Sequence, residues 1–312
     1  MYVPCPLSIF DGLFKLEPGC ILKISSQPPK SKMHGIPHSI SGQVYSHDSM
    51  TISRWYDFKE VVNSASQNLF TDFDEASLAL ETELATVIKL QSLSDVPLGA
   101  FLSGGVDSSA IVALMQKQSK KPIKTFTIGF EDPDFDESTF AREVASHLMT
   151  DHSELLVTAE DAQSIIPDLP HLYCEPFADY SQIPTYFVCK SARQSVTVSL
   201  SGDAGDELFG GYNRYIWGPK VWNAAKFLPP SLRNLAAQSL QVFSPNILNT
   251  GLSFLNISRP GDKIHKLSQA LTETSSMNDF YSNLVSEWNT FEPLIKNDSD
   301  NKWHKYNDEQ VS

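Results

Sequence analysis

The sequence predicts an α/β fold in which a parallel sheet carries helices on both faces, preceded by a short β-rich segment. Three observations predict it. From about residue 95, short apolar runs alternate with helical stretches, and strands that alternate with helices assemble into a parallel sheet covered on both sides. Residues 1 to about 57 read instead as short strands and turns, and from about residue 215 the pattern is helical with Pro, Asn and Ser breaks.

Taken in order, Ser8 to Phe14 places apolar residues on both sides of Asp11-Gly12, a turn signal. Residues 27–48, rich in Ser, Pro, His and Gly, read as a loop or linker. A helix is expected from Asp74 to about Leu93, its turns marked by Leu78, Ala85 and Ile88. Val96 to Leu102 is the first strand of the main sheet, followed by Gly104-Gly105 and a helix over Ser108–Gln116. Lys124 to Ile128 is the second strand. Asp136 is the expected N-cap of a helix whose Phe140, Val144 and Leu148 recur at i, i+4 and i+8. Leu155 to Val157 is a third strand, Thr185 to Arg193 a helix, and Val196 to Leu200 a fourth strand. No internal repeat is present.

Composition narrows the function classes. The chain has 312 residues, 41% hydrophobic and 20% charged, as in an ordinary globular protein. Its formal charge of −13 supplies no basic field for a nucleic-acid backbone. Cys5, Cys20, Cys174 and Cys189 form no C-x-x-C pair, which argues against a zinc site or disulfide framework and fits reduced thiols in the cytoplasm. Met1-Tyr2-Val3-Pro4 opens without a basic and then apolar leader. The longest uncharged stretch, Asn234 to Ser258, has Ser, Thr, Asn or Gln at 11 of its 25 positions and contains Pro245, so a bilayer would reject it. A soluble cytoplasmic protein that engages neither nucleic acid nor membrane is expected.

The sharpest chemical signal is Ser103-Gly104-Gly105-Val106-Asp107-Ser108-Ser109, between an apolar strand and a helix. Paired glycines let backbone approach phosphate oxygens and reach positive φ. The N–H groups of residues 105–109, with the helix dipole, suit a polyphosphate. Ser103 and Ser108 add hydroxyl donors, and Asp107 suits a Mg²⁺ that bridges to the phosphates. Taken alone, Gly-Gly is also an ordinary strand-to-helix turn. No G-x-x-x-x-G-K-[ST] loop and no G-x-G-x-x-G fingerprint occurs, so release of the β- and γ-phosphates together as pyrophosphate fits better than transfer of the γ-phosphate. The second signal, Ser201-Gly202-Asp203-Ala204-Gly205-Asp206-Glu207, directly follows the fourth strand. Ligands in open parallel sheets sit beyond the carboxyl ends of strands, where Asp107, Ile128-Gly129, Asp203 and Asp206 are expected. Asp206 suits a Mg²⁺ shared with Asp107, and Asp203 either a base or a group that steers an attacking amine. A solvated acidic loop or a calcium site is the plainer alternative.

These two motifs resemble those of the glutamine-hydrolysing asparagine synthetase family, a branch of the N-type ATP pyrophosphatases. Phe101 to Ser109 resembles the family's pyrophosphate loop. Thr127-Ile128-Gly129-Phe130 with Phe135-Asp136-Glu137, Glu175 to Asp179, Ser201 to Tyr212 and Asp262 to Leu267 resemble further segments. The resemblance implies an adenine nucleotide alpha hydrolase-like domain over residues 61–312, incomplete at its C-terminus, after a remnant of a glutaminase domain over residues 1–60. It implies activation of the aspartate side-chain carboxylate by ATP, release of pyrophosphate, and displacement of AMP by ammonia delivered from glutamine. ATP and Mg²⁺ are the implied cofactors, and a homodimer is expected of the full-length protein. By motif position Leu102 and Ile128 border the adenosine, Ser103, Gly104, Gly105 and Ser108 hold phosphate, and Ser201 and Gly202 contact the nucleotide. Asp107 and Asp206 bind Mg²⁺.

Asp203 stands where the best-known members have Glu, one methylene longer. The family's N-terminal nucleophilic cysteine has no counterpart, since Met1 precedes Tyr2 and Cys5 and Cys20 lie inside the remnant. Nothing around Lys302 or Lys305 resembles the family's catalytic-lysine segment. Two other readings are an inactive fragment or decayed paralogue, and an amidating or ring-closing relative acting on another carboxylate. Among smaller features, Glu175 and Asp179 fit substrate or metal positioning as well as loop-ordering hydrogen bonds. Arg142 suits a surface ion pair more than a phosphate contact, His147 and His152 helix-end capping or packing, and Trp217, Trp222 and Trp288 core or helix packing rather than a base-stacking platform.

Overall fold

The computed structural model describes residues 2–31, 37, 42–132, 136–177, 179–251, 260–272 and 274–286. Two compact units meet in sequence at Asp203–Ala204. Trp288, Lys302 and Lys305 lie outside the described residues.

The first unit begins with a three-stranded antiparallel sheet of β1 (Cys20–Ile24), β2 (Val44–His47) and β3 (Met50–Arg54), in the order β1-β3-β2. Leu22 and Tyr45 both pair with Ile52, and Met50 and Ile52 are buried. β2 lies within the stretch whose composition reads as a loop, and this corrects that expectation. Pairing with β3 overrides a weak local propensity. Two helices follow, α1 (Phe58–Ala65) and α2 (Phe73–Gln91). Asp57 caps α1 by accepting from the Lys59 amide, and Asp72 caps α2 by accepting from the Glu75 amide at 2.8 Å.

The main sheet consists of β4 (Leu98–Phe101), β5 (Lys124–Phe130), β6 (Asp151–Val157) and β7 (Val198–Leu200), all parallel, in the order β6-β5-β4-β7. The chain steps outward from β4 to β5 to β6, then returns to the far side of β4. Strand order therefore reverses between β4 and β7, and a crevice for ligands opens at such a reversal. One face is covered by α3 (Val106–Gln118) and α4 (Ser138–Leu148), where Ala100 and Leu102 pack on Val112, Met115, Ala141 and Ala145. The other is covered by α7 (Gln182–Ala192), with Phe126 against Ala192 and Val196, and Val157 against Phe187. Helices α5 (Ala159–Ser164) and α6 (Leu169–Leu172) lie between β6 and α7.

Several details depart from the sequence expectation. β6 begins at Asp151 because its polar first half, Asp151 to Ser153, pairs in register with Lys124 to Phe126. β7 is shorter than expected, since Val196 is a core residue ahead of the strand. In α4 the N-cap position is Glu137, while Asp136 Oδ1 accepts from the amides of Ser138 at 3.0 Å and Phe130 at 3.4 Å. The face α4 buries is Ser138, Ala141 and Ala145, and Phe140 is 62% exposed. Small residues are required there because Gly104 comes against the α4 backbone.

The second unit is helical: α8 (Gly205–Phe209), α9 (Asn213–Ala225), α10 (Pro230–Val242), α11 (Pro245–Gly251), α12 (Pro260–Leu271) and α13 (Met277–Val285). Its core gathers Ala270, Phe280 and Leu284 with Val221, Trp222 and Leu267. Trp222 stacks on Phe280, and the buried Arg233 sits 5.2 Å from the Trp222 ring while its Nη2 donates to the Thr274 carbonyl. Trp217, by contrast, is half exposed beneath Lys220.

Candidate functional site

The loop after β4 is built by glycine and serine. Gly104 takes φ +81°, and a side chain there would strike Phe140 and the Ala141 amide at 2.6 Å. Only glycine fits both the dihedral and the space. Gly105 then N-caps α3 with no side-chain hydrogen bond, so the first-turn N–H groups of a 13-residue helix receive no cap from it. Ser103 and Ser108 lock the loop: their hydroxyls lie 2.9 Å apart, the Ser103 amide donates to Ser108 Oγ at 3.2 Å, and the Gly105 amide donates to Ser103 Oγ at 3.3 Å. The Ser109 hydroxyl is buried without a hydrogen-bond partner. Asp107 is half-buried in the first turn.

The turn after β7 reaches this loop. A methyl on Gly202 would lie 2.6 Å from the Ser108 amide nitrogen and 2.9 Å from the Asp107 carbonyl carbon. Gly202, at the start of the second motif, thus rests on the first motif where strand order reverses. Ser201 Oγ donates to Asp203 Oδ2 at 3.0 Å, holding an exposed carboxylate at the end of the turn. Burial first, and Asp203 second, hold the Cys189 thiol above its usual range.

Leu102 and Ile128 sit differently from the rest. Leu102 is 1% exposed and packs in the core under α3, with its amide donating to the Phe126 carbonyl at 2.9 Å. Ile128 lies inside β5 opposite Leu155 and packs on the α7 side of the sheet. Asp206 belongs to the second unit, in the first turn of α8, where its carbonyl accepts from the Gly211 amide at 3.0 Å.

Donor chemistry fits a nucleotide and its metal. The first-turn N–H groups of α3, left without a side-chain cap at Gly105, are the kind of donors that suit a phosphate group. No cluster of three or more His, Cys, Asp or Glu with metal-binding geometry exists among the described residues. Mg²⁺ needs none, because one or two carboxylates plus phosphate oxygens and water suffice.

Smaller expectations resolve into structure. Glu175 accepts from Lys15 Nζ at 2.5 Å and from the Ile9 amide at 3.3 Å, and the Lys15 ammonium holds its carboxyl below the usual range. Asp179 accepts from the Ser181 amide at 2.8 Å. Both carboxylates order loops. Arg142 pairs with Glu154 through two nitrogens, at 3.1 and 2.8 Å. The Ser109 hydroxyl and the Gly211 contact were not singled out in the sequence; a second serine and a second glycine after each motif were the visible signals. No described helix is long and apolar enough to cross a membrane. Two surface clefts, of about 520 and 390 Å³, lie around the C-terminal ends of α3 and α4, away from the glycine loop.

Comparison with known proteins points the same way. The asparagine synthase family pattern matches residues 79–311. Over 158 residues the chain is 37% identical to glutamine-hydrolyzing asparagine synthetase 1 of Bacillus subtilis (strain 168), a match that covers 51% of this chain and 25% of that protein. It is 28% identical over 188 residues to asparagine synthetase 3 of the same organism, covering 54% of this chain and 29% of the relative. With asparagine synthetase B of Escherichia coli (strain K12) the identity is 30% over 201 residues, covering 59% and 33%. The chain spans a quarter to a third of the length of these relatives.

Proposed function

The chain belongs to the asparagine synthase family, and from that premise we propose that it carries the ATP-dependent, carboxylate-activating site of a glutamine-dependent asparagine synthetase. The single observation that carries the reading is the seating of Gly202 on the first turn of α3. It joins a glycine loop and a second β–α turn at one reversal point of a parallel sheet.

In this reading the first-turn amides of α3 and the hydroxyls of Ser103 and Ser108 hold the β- and γ-phosphates. Gly104 lets the loop turn tightly against α4 and Gly105 opens the first turn of α3 toward them, while Leu102, Ile128, Ser201 and Gly202 border the nucleoside. By motif position Asp107 and Asp206 are each assigned to Mg²⁺, which would supply positive charge to offset that building on the leaving pyrophosphate. An oxygen of the aspartate side-chain carboxylate attacks the α-phosphorus, the bond to the β-phosphate bridging oxygen breaks, and an acyl-adenylate forms. Ammonia from glutamine then attacks the acyl carbon. Asp203 takes a proton from the incoming ammonia, and AMP leaves with the electron pair of the broken bond between the acyl carbon and its phosphate oxygen, giving asparagine.

Calorimetric titration of the full chain with ATP, with and without Mg²⁺, tests the nucleotide site. Binding is expected to require Mg²⁺ and to fall at least tenfold in Asp107→Ala. Equal affinity in that variant removes Asp107 from the site. Pyrophosphate release that depends on aspartate, rather than on another carboxylate, tests the acceptor.

A further inference from the structure

Asp206 and Glu207 are consecutive carboxylates in the first turn of α8, and the chain returns over them immediately. Gly210 closes the helix in the left-handed region at φ +68°. The Gly211 amide then donates to the Asp206 carbonyl at 3.0 Å, and the Tyr212 hydroxyl donates to Glu207 Oε1 at 2.9 Å. Tyr212 is itself covered by Arg214, whose guanidinium carbon lies 3.8 Å from its ring centre. Glu207 is therefore engaged, and of the two carboxylates Asp206 is the one with no side-chain partner among the described hydrogen bonds. Its carboxylate lies back along Gly211: a methyl at that glycine would overlap Asp206 Oδ1 and sit 3.0 Å from Cγ. At Gly211 the obstructing atom is the far end of a flexible side chain, unlike the backbone atoms that crowd Gly104 and Gly202.

We infer that Gly211 is a positioning residue for the Asp206 carboxylate, and that its missing side chain sets the affinity of Asp206 for the divalent cation. This rests on the assignment of Asp206 to the metal. Added bulk at Gly211 would rotate the carboxylate out of place at little cost to folding, because a rotamer change relieves the overlap. The second independent contact, Tyr212 on Glu207, keeps the neighbouring carboxylate from replacing it.

The test is a double-mutant cycle on the full chain, read by Mn²⁺ titration in the presence of ATP with the free ion followed by electron paramagnetic resonance. Gly211→Ala is expected to weaken Mn²⁺ binding about as much as Asp206→Asn, several-fold, with the unfolding temperature nearly unchanged. In the Asp206→Asn background the glycine substitution is expected to add nothing further. Wild-type affinity in Gly211→Ala, alongside a loss in Asp206→Asn, overturns the inference and leaves the metal assignment standing. Wild-type affinity in Asp206→Asn overturns both. A Gly211→Ala chain that misfolds alone but folds with Asp206→Ala supports the contact, and one that misfolds in both backgrounds overturns it.

Discussion

At Gly202 one turn rests directly on the backbone of another, and the obstructing atoms have nowhere to go. The Ser108 amide nitrogen and Asp107 carbonyl carbon that a methyl would meet, at 2.6 and 2.9 Å, are part of the first turn of α3. Relief requires either the glycine loop after β4 or the β7 turn to move. Gly202→Ala is therefore expected to weaken ATP binding by tenfold or more, about 1.4 kcal/mol, and to lower the unfolding temperature by a few degrees. Calorimetric titration reads the first effect and thermal denaturation the second. Unchanged affinity would detach the β7 turn from the nucleotide site. Gly104 obeys the same logic against α4, with the further demand of positive φ. Ser103 and Ser108 spend hydrogen bonds on each other, so their first duty is to hold the loop shape that presents the amides.

Between elements, the junction of β5, β6 and α4 carries a titratable group with a defined direction. His152 Nδ1 lies 2.9 Å from Thr125 Oγ1, which in turn lies 2.8 Å from Thr150 Oγ1, and His152 Nε2 is buried without a partner. Burial holds this imidazole below the ordinary value of 6.5; the nearby Glu154 carboxylate opposes the shift and Arg142 adds to it. The folded chain thus prefers the neutral ring, and the unfolded chain takes up the proton first. Stability from this group is complete above pH 6.5 and is lost as pH falls from there toward the folded value. The unfolding temperature of the native chain is expected to drop more steeply between pH 7 and about pH 5.5 than that of His152→Gln. Parallel pH profiles for the two chains would show that the histidine does not contribute. β6 illustrates the wider point about elements: its polar residues Asp151, His152 and Ser153 become strand because β5 offers them paired partners.

For the whole molecule the governing quantity is a net charge of −13. A chain this acidic repels free ATP, a tetra-anion, more than its magnesium complex, and dissolved salt screens that difference over a Debye length of about 30 Å at 0.01 M and about 10 Å at 0.1 M. The ratio of affinities for the magnesium complex and for ATP in chelator is accordingly expected to shrink as salt rises across that range. Titration at both ionic strengths checks it. A ratio independent of salt would confine the metal's effect to its direct ligands.

Much of this was legible in residue order. The alternation of strands and helices from residue 95 predicted a parallel sheet, because a sheet buried on both faces needs apolar strands and crossover helices. Paired glycines between an apolar run and a helix marked a tight turn after the first strand of the main sheet, and there Gly104 takes φ +81° against the α4 backbone, a combination of dihedral and space only glycine meets. What residue order left open was everything set by distant partners. The strand at Val44–His47, the polar start of β6 and the alanine face of α4 depend on neighbours that bring the missing apolar surface or demand small volume. Glu175 looked like a candidate ligand until Lys15, 160 residues earlier, met it. Leu102 turns into the core because α3 and α4 cover its side of the sheet, and Gly202 settles on Ser108 because the reversal between β4 and β7 makes their turns neighbours.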